Sequence, residues 1–379
     1  MRKNQHGLSL IELMIALLIG TLLVMGLMQV FGASRAAYQL SQGMARVQEN
    51  GRFAMDYLER DIRMAGHFGC VNDQGRKQGN NLLGLHVSGA ALNFDVSISG
   101  YEATGTAPSN TAVNLAGLTA GWTPSLPTYI SGLSPAPNAG SDIIVLRYFD
   151  SDGVPVTGVT ANQVSVAPAK WNVLTQDGVA SPAIFGISDC TFADVFQASG
   201  TSAVAGTVNA SATGGLATSL PDFTGRYTAH PAGQTMLYRG EAVVYYVGTR
   251  NGADVPSLYR ARFGSAVGGA QTVTSEEMVE GVQNLQLLYG LDQSNDVNRL
   301  TGNITTYATA ATLGSTETQW RRVGQVKVGL IAISPEGAAA EQAAAGLNIA
   351  GVTFTPPADA SYRSPYETTV ALRNRLYGN

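Results

Sequence analysis

Residues 6–20 read HGLSLIELMIALLIG, and Glu12 is the one charged residue in a run that is otherwise uncharged from Leu8 through Ser34. An ionised carboxylate at membrane depth costs about 2.5 to 3.5 kcal/mol on insertion scales, so its position inside this run calls for a role. Upstream lie the basic residues Arg2 and Lys3, and from Leu13 to Val30 every residue is apolar or small except Thr21 and Gln29. That run approaches the roughly 20 residues of a bilayer-spanning helix, and its basic end is expected to stay cytoplasmic. A cleaved secretory signal would have a shorter apolar core and a small-residue cleavage site at its far end. Gly32-Ala33-Ser34 is a poor match to such a site. A plain signal anchor is the simpler alternative, but it leaves Glu12 without a role.

The helical pattern continues past the apolar run. Leu40, Met44, Val47, Gly51, Ala54, Leu58 and Ile62 recur at spacings of three and four, which places an apolar stripe on one helical face. Asp56 with Arg60, and Glu59 with Arg63, are acid-before-base pairs four residues apart on the opposite, solvated side. Gly66 and Gly69 then supply helix-stopping residues. The sequence thus predicts one helix from Leu8 to Ala65, about 87 Å long at 1.5 Å per residue. Half of it would lie in lipid and half would be docked on a domain.

Composition narrows the remainder. Only 13% of the 379 residues are charged, against an average of about a quarter, and Gly occurs 44 times. Such a surface must be covered by Ser, Thr, Asn, Gln and Gly, as suits an exported β-rich protein. The net charge is −4 and neither half carries a basic block, so no nucleic-acid partner is expected. After Gly66 short β-like runs alternate with Gly, Pro, Asn and Ser clusters. Asp142–Phe149 reads as a strand closed by the turn Asp150-Ser151-Asp152-Gly153. Glu241–Thr249 and Ser257–Arg262 flank Asn251-Gly252 as a hairpin, Leu285, Leu287 and Tyr289 alternate, and Arg322–Ile333 and Pro365–Leu372 are further strands. An Ala-rich helix is expected at Glu336–Leu347. The Gly/Ala/Ser/Thr-rich stretches Gln197–Leu220 and Leu300–Thr318 read as surface loops or weak strands, open to partner contacts. The predicted class is α+β, a long N-terminal helix on antiparallel sheets.

The basic leader, Gly7, Leu8, Ser9-Leu10-Ile11-Glu12 and the long apolar helix together resemble the class III signal of type IV pilins and type II secretion pseudopilins. The resemblance implies a prepilin peptidase that cuts between Gly7 and Leu8 and methylates the new terminus at Leu8, where the family usually has Phe. It also implies a role for Glu12, as the fifth residue of the mature chain. Paired with the Leu8 ammonium of its own or a neighbouring chain, its charge would fix axial register in a packed helical filament. Within that family the chain resembles PilW-type minor pilins in four segments. These are Arg52-Phe53-Ala54 through Gly66, then Ser188-Asp189-Cys190 followed by Ala193-Asp194-Val195-Phe196-Gln197, then Met278 through Gln286 before Tyr289-Gly290, and Thr368 through Arg375.

The resemblance implies a leader at 1–7, a pilin helix at 8–66 with 8–31 in the membrane, and a β-rich head at 67–379. The head would face the periplasm from the inner membrane and later the exterior as part of a pilus, an oxidising setting in which Cys70 and Cys190, the only two cysteines, would pair. Expected partners are other minor pilins and the major pilin, the prepilin peptidase, and the inner-membrane assembly platform. The expected role is in a tip or priming complex that starts pilus assembly and supports twitching motility, adhesion or DNA uptake.

No catalytic chemistry is expected. His6, His67, His86 and His230 have no metal-ligand spacing, and there is no G-x-S-x-G elbow or phosphate-binding loop. No cofactor, metal or small-molecule substrate is therefore expected. Glu276-Glu277 reads as a solvated pair. The stretch from Asp292 to Asn298 faintly resembles a calcium loop, but it lacks the sixth-position glycine and the closing glutamate, which favours a plain turn. The rival readings are a J-type pseudopilin and a membrane-anchored hydrolase or binding domain; the latter requires a convergent acid pair or aromatic platform, and Trp122, Trp171 and Trp320 are widely separated.

Overall fold

The computed structural model describes residues 9–72, 83–110, 112–253, 255–294, 300–334 and 346–375. Its first element is a single helix, α1 (Leu10–Met64). Every residue from Leu10 to Gln42 is exposed, with the half-buried Gly20 as the exception. From Gly43 onward the predicted stripe turns inward, and Val47, Ala54, Leu58 and Ile62 are fully buried. Gly66 and Gly69 both take positive φ, which ends the helix where the sequence places its stop signals.

Along the chain the main strands are β1 (Ile98–Ala103), β2 (Ile143–Phe149), β3 (Val154–Val159), β4 (Gln163–Val166), β5 (Ile184–Ser188), β6 (Ala193–Ser202) and β7 (Thr207–Ala210). They are followed by β8 (Met236–Gly248), β9 (Ser257–Ser265), β10 (Gln271–Glu280), β11 (Val282–Asp292), β12 (Ile304–Ala308), β13 (Val323–Ile333) and β14 (Arg363–Ala371). The first sheet runs β1-β2-β8-β9-β10 and the second β12-β11-β13-β14, with every neighbour antiparallel. Short parallel pairings occur at Leu83–Leu85 with β6 and at Val352–Thr355 with Val113–Asn114. Gly281 alone turns the chain from the first sheet into the second. Its φ is +74°, and a Cβ there would collide with the Ile333 carbonyl.

The apolar run of β2 is buried on both faces, which explains why it reads as continuous rather than alternating. Ile144, Leu146 and Tyr148 face the core under α1, whereas Ile143, Val145 and Phe149 face a second core on the other side of the sheet. Arg147 shares that second face and is buried. Its guanidinium donates to the carbonyls of Ala90, Ala91 and Val96, so the charge is matched by three acceptors.

One feature departs from the sequence reading. Strands β3, β4, β7, β6 and β5 pair in that order, and the first residues of β8 close the circle by pairing with both β5 and β3. The result is a closed, six-stranded antiparallel barrel with its own core, including Val156, Val164, Phe185, Phe196 and Val208. The stretch 197–220, expected as loops or weak strands, supplies most of β6 and all of β7. Closure removes the exposed edges that such weak strands would otherwise present. Similarly, 300–318 contributes β12 and a short helical turn at Ala310–Leu313. The helix expected at 336–347 falls mainly on residues 335–345, outside the described residues, and Leu347 begins a short strand. The Asn251-Gly252 hairpin is present, with Gly248 opposite Ser257 and Gly252 at φ +80°, but its loop is longer than a two-residue turn.

Docking of α1 requires a close approach at Gly51. A Cβ at this position would collide with the edge of the Tyr366 ring of β14, whose hydroxyl donates to the Val47 carbonyl at 3.2 Å. Replacing Gly51 by Val should push that ring away, break the bond and cost about 1 to 3 kcal/mol of overpacking. Chemical denaturation of the full chain in detergent checks this, and a destabilisation below about 0.5 kcal/mol would contradict the packing.

Candidate functional site

The segment with functional promise is α1 and the surface that grips it. Among the described residues α1 is the one helix long and apolar enough to cross a membrane. Ser9 stands at its N-cap and Glu12 in its first turn, where the Ser9 N–H donates to Glu12 Oε2 at 3.3 Å. A carboxylate in this position satisfies a helix-terminal N–H and opposes the positive end of the helix dipole. Gly7 and Leu8 lie outside the described residues, as does any partner Glu12 finds in the Leu8 amine.

The docked half of α1 is fixed by polar contacts as well as by its apolar stripe. Asp61 is buried and accepts from Tyr245 Oη at 2.7 Å, with Arg260 Nη1 3.6 Å away. Asn50 Nδ2 donates to the Glu280 carbonyl, and Asn374 Nδ2 to the Arg63 carbonyl. Beside Asp61 opens a cavity of about 410 Å³ in which charges of both signs are paired. Arg239 meets Asp150 and Glu241, and Arg262 meets Glu241 at 3.2 Å. Burial pushes the Glu241 carboxyl up despite these two arginines.

Cys70, six residues past the end of α1, is bonded to Cys190 in the turn between β5 and β6. Ser188 Oγ donates to the Phe68 carbonyl alongside. The residues around Cys190 each have a structural task. Asp189 accepts the N–H groups of Thr191 and Phe192, and the Gln197 amide group ties the barrel to Ser265, Ala266 and Gly269.

Asp194 is fully buried and accepts from Arg226 Nη1 at 2.8 and 3.0 Å and from Tyr227 Oη, while His86 Nε2 lies 2.8 Å from its Oδ1. Burial opposes the charge, but the His86 and Tyr227 hydrogen bonds and the Arg226 guanidinium outweigh it and hold the carboxyl below its usual range. His86 Nδ1 reaches Ser219 Oγ at 2.7 Å, giving the atom order of a nucleophile relay. The Asp194 charge is already matched by Arg226, so the arrangement serves to fasten three segments together. Sequence reasoning quoted Asp194 only as a letter of a motif and assigned nothing to His86 or Arg226, which lie far away in the chain.

Among the described residues no three His, Cys, Asp or Glu side chains gather as a metal site. Asp292 is buried and accepts the N–H groups of Ser294, Thr301 and Gly302, as a turn anchor does. Residues 295–299 of the calcium-like stretch lie outside the described residues. Glu276 and Glu277 are partly exposed, but Glu276 is paired with Arg260 and Glu277 accepts from Ser257.

Two family comparisons bear on these features. Residues 2–28 match the prokaryotic N-terminal methylation motif, and residues 244–374 match the type IV pilus-assembly protein W family, PilW. Together they support a type IV pilus minor pilin of the PilW type. The PilW match covers the last residues of β8, from Val244, and all of β9 to β14, which includes the second sheet and most of the strands that grip α1, β2 being outside it. The five strands β3 to β7 lie outside it. No curated protein sequence matches the chain. The prepilin motif and the apolar helix point to membrane anchoring, and a PilW-type pilin with this motif implies contact with other pilins and with the processing peptidase.

Proposed function

We propose that this PilW-type minor pilin is cut between Gly7 and Leu8, methylated at Leu8, and joined to other minor pilins in a complex that starts filament assembly. In this reading residues 1–7 are the leader, 8–66 the pilin helix with 8–31 in the inner membrane, and 67–379 the head. The head faces the periplasm before assembly and the exterior afterwards. The role is structural, and its energy comes from helix packing, the Glu12 charge and contacts between heads. The observation that carries this reading is the division of α1. Most of its exposed apolar half lies in the methylation-motif match, and its buried half is gripped mainly by PilW-matched strands. That PilW match also favours the pilus over a J-type pseudopilin.

Intact mass and N-terminal sequencing of the chain from its native membranes provide the test. The mature chain is expected to begin with methylated Leu8, and Gly7→Ala is expected to leave the leader attached. Glu12→Val should be processed normally yet be lost from sheared filaments. An unprocessed Met1 terminus, or cleavage near Ser34, would refute the assignment.

A further inference from the structure

The two sheets of the head meet at residues 140–142, between β1 and β11. Asp142 is the clasp: Oδ1 accepts the Ala103 N–H of β1 and Oδ2 the Leu287 N–H of β11, both at 2.8 Å. Its own N–H donates to the Leu285 carbonyl, and the side-chain amides of Asn284 and Gln286 both donate to the Gly140 carbonyl. A second carboxyl, Glu102, is buried in the same seam at 5% exposure, and its Oε2 has no hydrogen-bond partner. Tyr289 is 1% exposed, and its Oη is also buried without a partner and lies over Gly100, where a Cβ would collide with it.

The titratable groups acting on this seam are few. Glu102 is influenced by Asp142, and Tyr289 by Asp142, Glu102 and Tyr101. Among the described residues no cation acts on either carboxyl. Two carboxylates buried together without a cation cannot both ionise cheaply. Asp142 has two N–H donors that favour its charged form, and Glu102 has an orphan oxygen, so the proton belongs on Glu102.

We propose that this seam is a proton-dependent latch, in which the neutral acid form of Glu102 keeps the second sheet joined to the first. Burial, reinforced by the Asp142 charge, pushes Glu102 up to about 9, and burial raises Asp142 as well. Because the folded value lies above the unfolded one, the stabilisation is complete below the ordinary glutamate range. It is lost as pH rises toward about 9. Each opening of the seam lets Glu102 release its proton to water, so openings become more frequent as pH rises.

Hydrogen exchange of the full chain in detergent, corrected for the intrinsic pH dependence of amide exchange, tests the latch at the Ala103 and Leu287 amides. Between about pH 7 and about pH 8.5, above the raised Asp142 value of about 7 and below that of Glu102, their protection should fall by up to about tenfold per pH unit, the slope for release of one proton. Glu102→Gln, which keeps the shape and removes the ionisation, should flatten that slope. Protection that changes less than about threefold over this range in the natural chain, or an undiminished slope in the variant, would overturn the proposal. Should the variant not fold, the profile of the natural chain decides alone.

Discussion

Replacing Cys70 and Cys190 together by serine is expected to lower the stability of the head by several kcal/mol. The bond closes a loop with a sequence separation of 120. Loop-entropy reasoning puts the gain from such a closure at about 4 to 5 kcal/mol, an upper value. Non-covalent contacts share the load at this junction: the ladder His67–Phe68 with Val71–Asn72, the Gly66 N–H donated to the Arg147 carbonyl, the Ser188 hydroxyl, and the buried Phe68 ring against Phe94 and Phe149, so the measured loss should fall below that upper value. Denaturant titration of the full chain in detergent, with and without a thiol reductant, should show the reduced natural chain and the double-serine variant losing similar amounts. A loss under about 1 kcal/mol in both would mean that packing alone holds the barrel to the exit of α1.

The second large effect is expected at Asp194. Truncation to alanine leaves the Arg226 guanidinium, Tyr227 Oη and His86 Nε2 without their common acceptor, and removing one partner of a buried charge pair costs about 3 to 5 kcal/mol. The pH dependence has a definite sign. The Asp194 carboxyl is held below its unfolded value, so its contribution is present above the ordinary aspartate range and is lost as pH falls through the lowered folded value. Thermal melts on the acid side should therefore show the natural chain losing stability that Asp194→Ala never had, so the two curves converge. Parallel curves would remove Asp194 from this role.

The parts of the fold legible in the sequence are those with local cause. The spacing of Val47, Gly51, Ala54, Leu58 and Ile62 defines the docked face of α1, and Gly66 and Gly69 its end. Period-two alternation at Leu285, Leu287 and Tyr289 defines the inward face of β11. The barrel is not legible, because the second half of β6 and the stretch around β7 are rich in Gly, Ser and Ala, which carry little intrinsic strand preference. Their order comes from long-range closure, with Val208 and Phe196 packing on Val156, Val164 and Phe185 from elsewhere in the chain. The polar fastenings are long-range as well. Asp194 meets His86 and Arg226 across 108 and 32 residues, and Asp61 meets Tyr245 across 184. The assembly segment shows the reverse pattern. Glu12 stands out in the sequence because a charge there conflicts with its apolar surroundings, whereas among the described residues its hydrogen bond is the local one from Ser9.

Strand β8 has a mechanical consequence. Its first residues close the barrel and its last lie between β2 and β9 in the sheet beneath α1, so it works as a tendon between two bodies. A pull on the barrel along β8 loads the ladder with β2 and β9 in shear, where many hydrogen bonds must yield together instead of unzipping singly. The Cys70–Cys190 bond is a second strap, joining the barrel to the exit of α1. Tension entering at the barrel therefore reaches the long helix by two routes, one of them covalent.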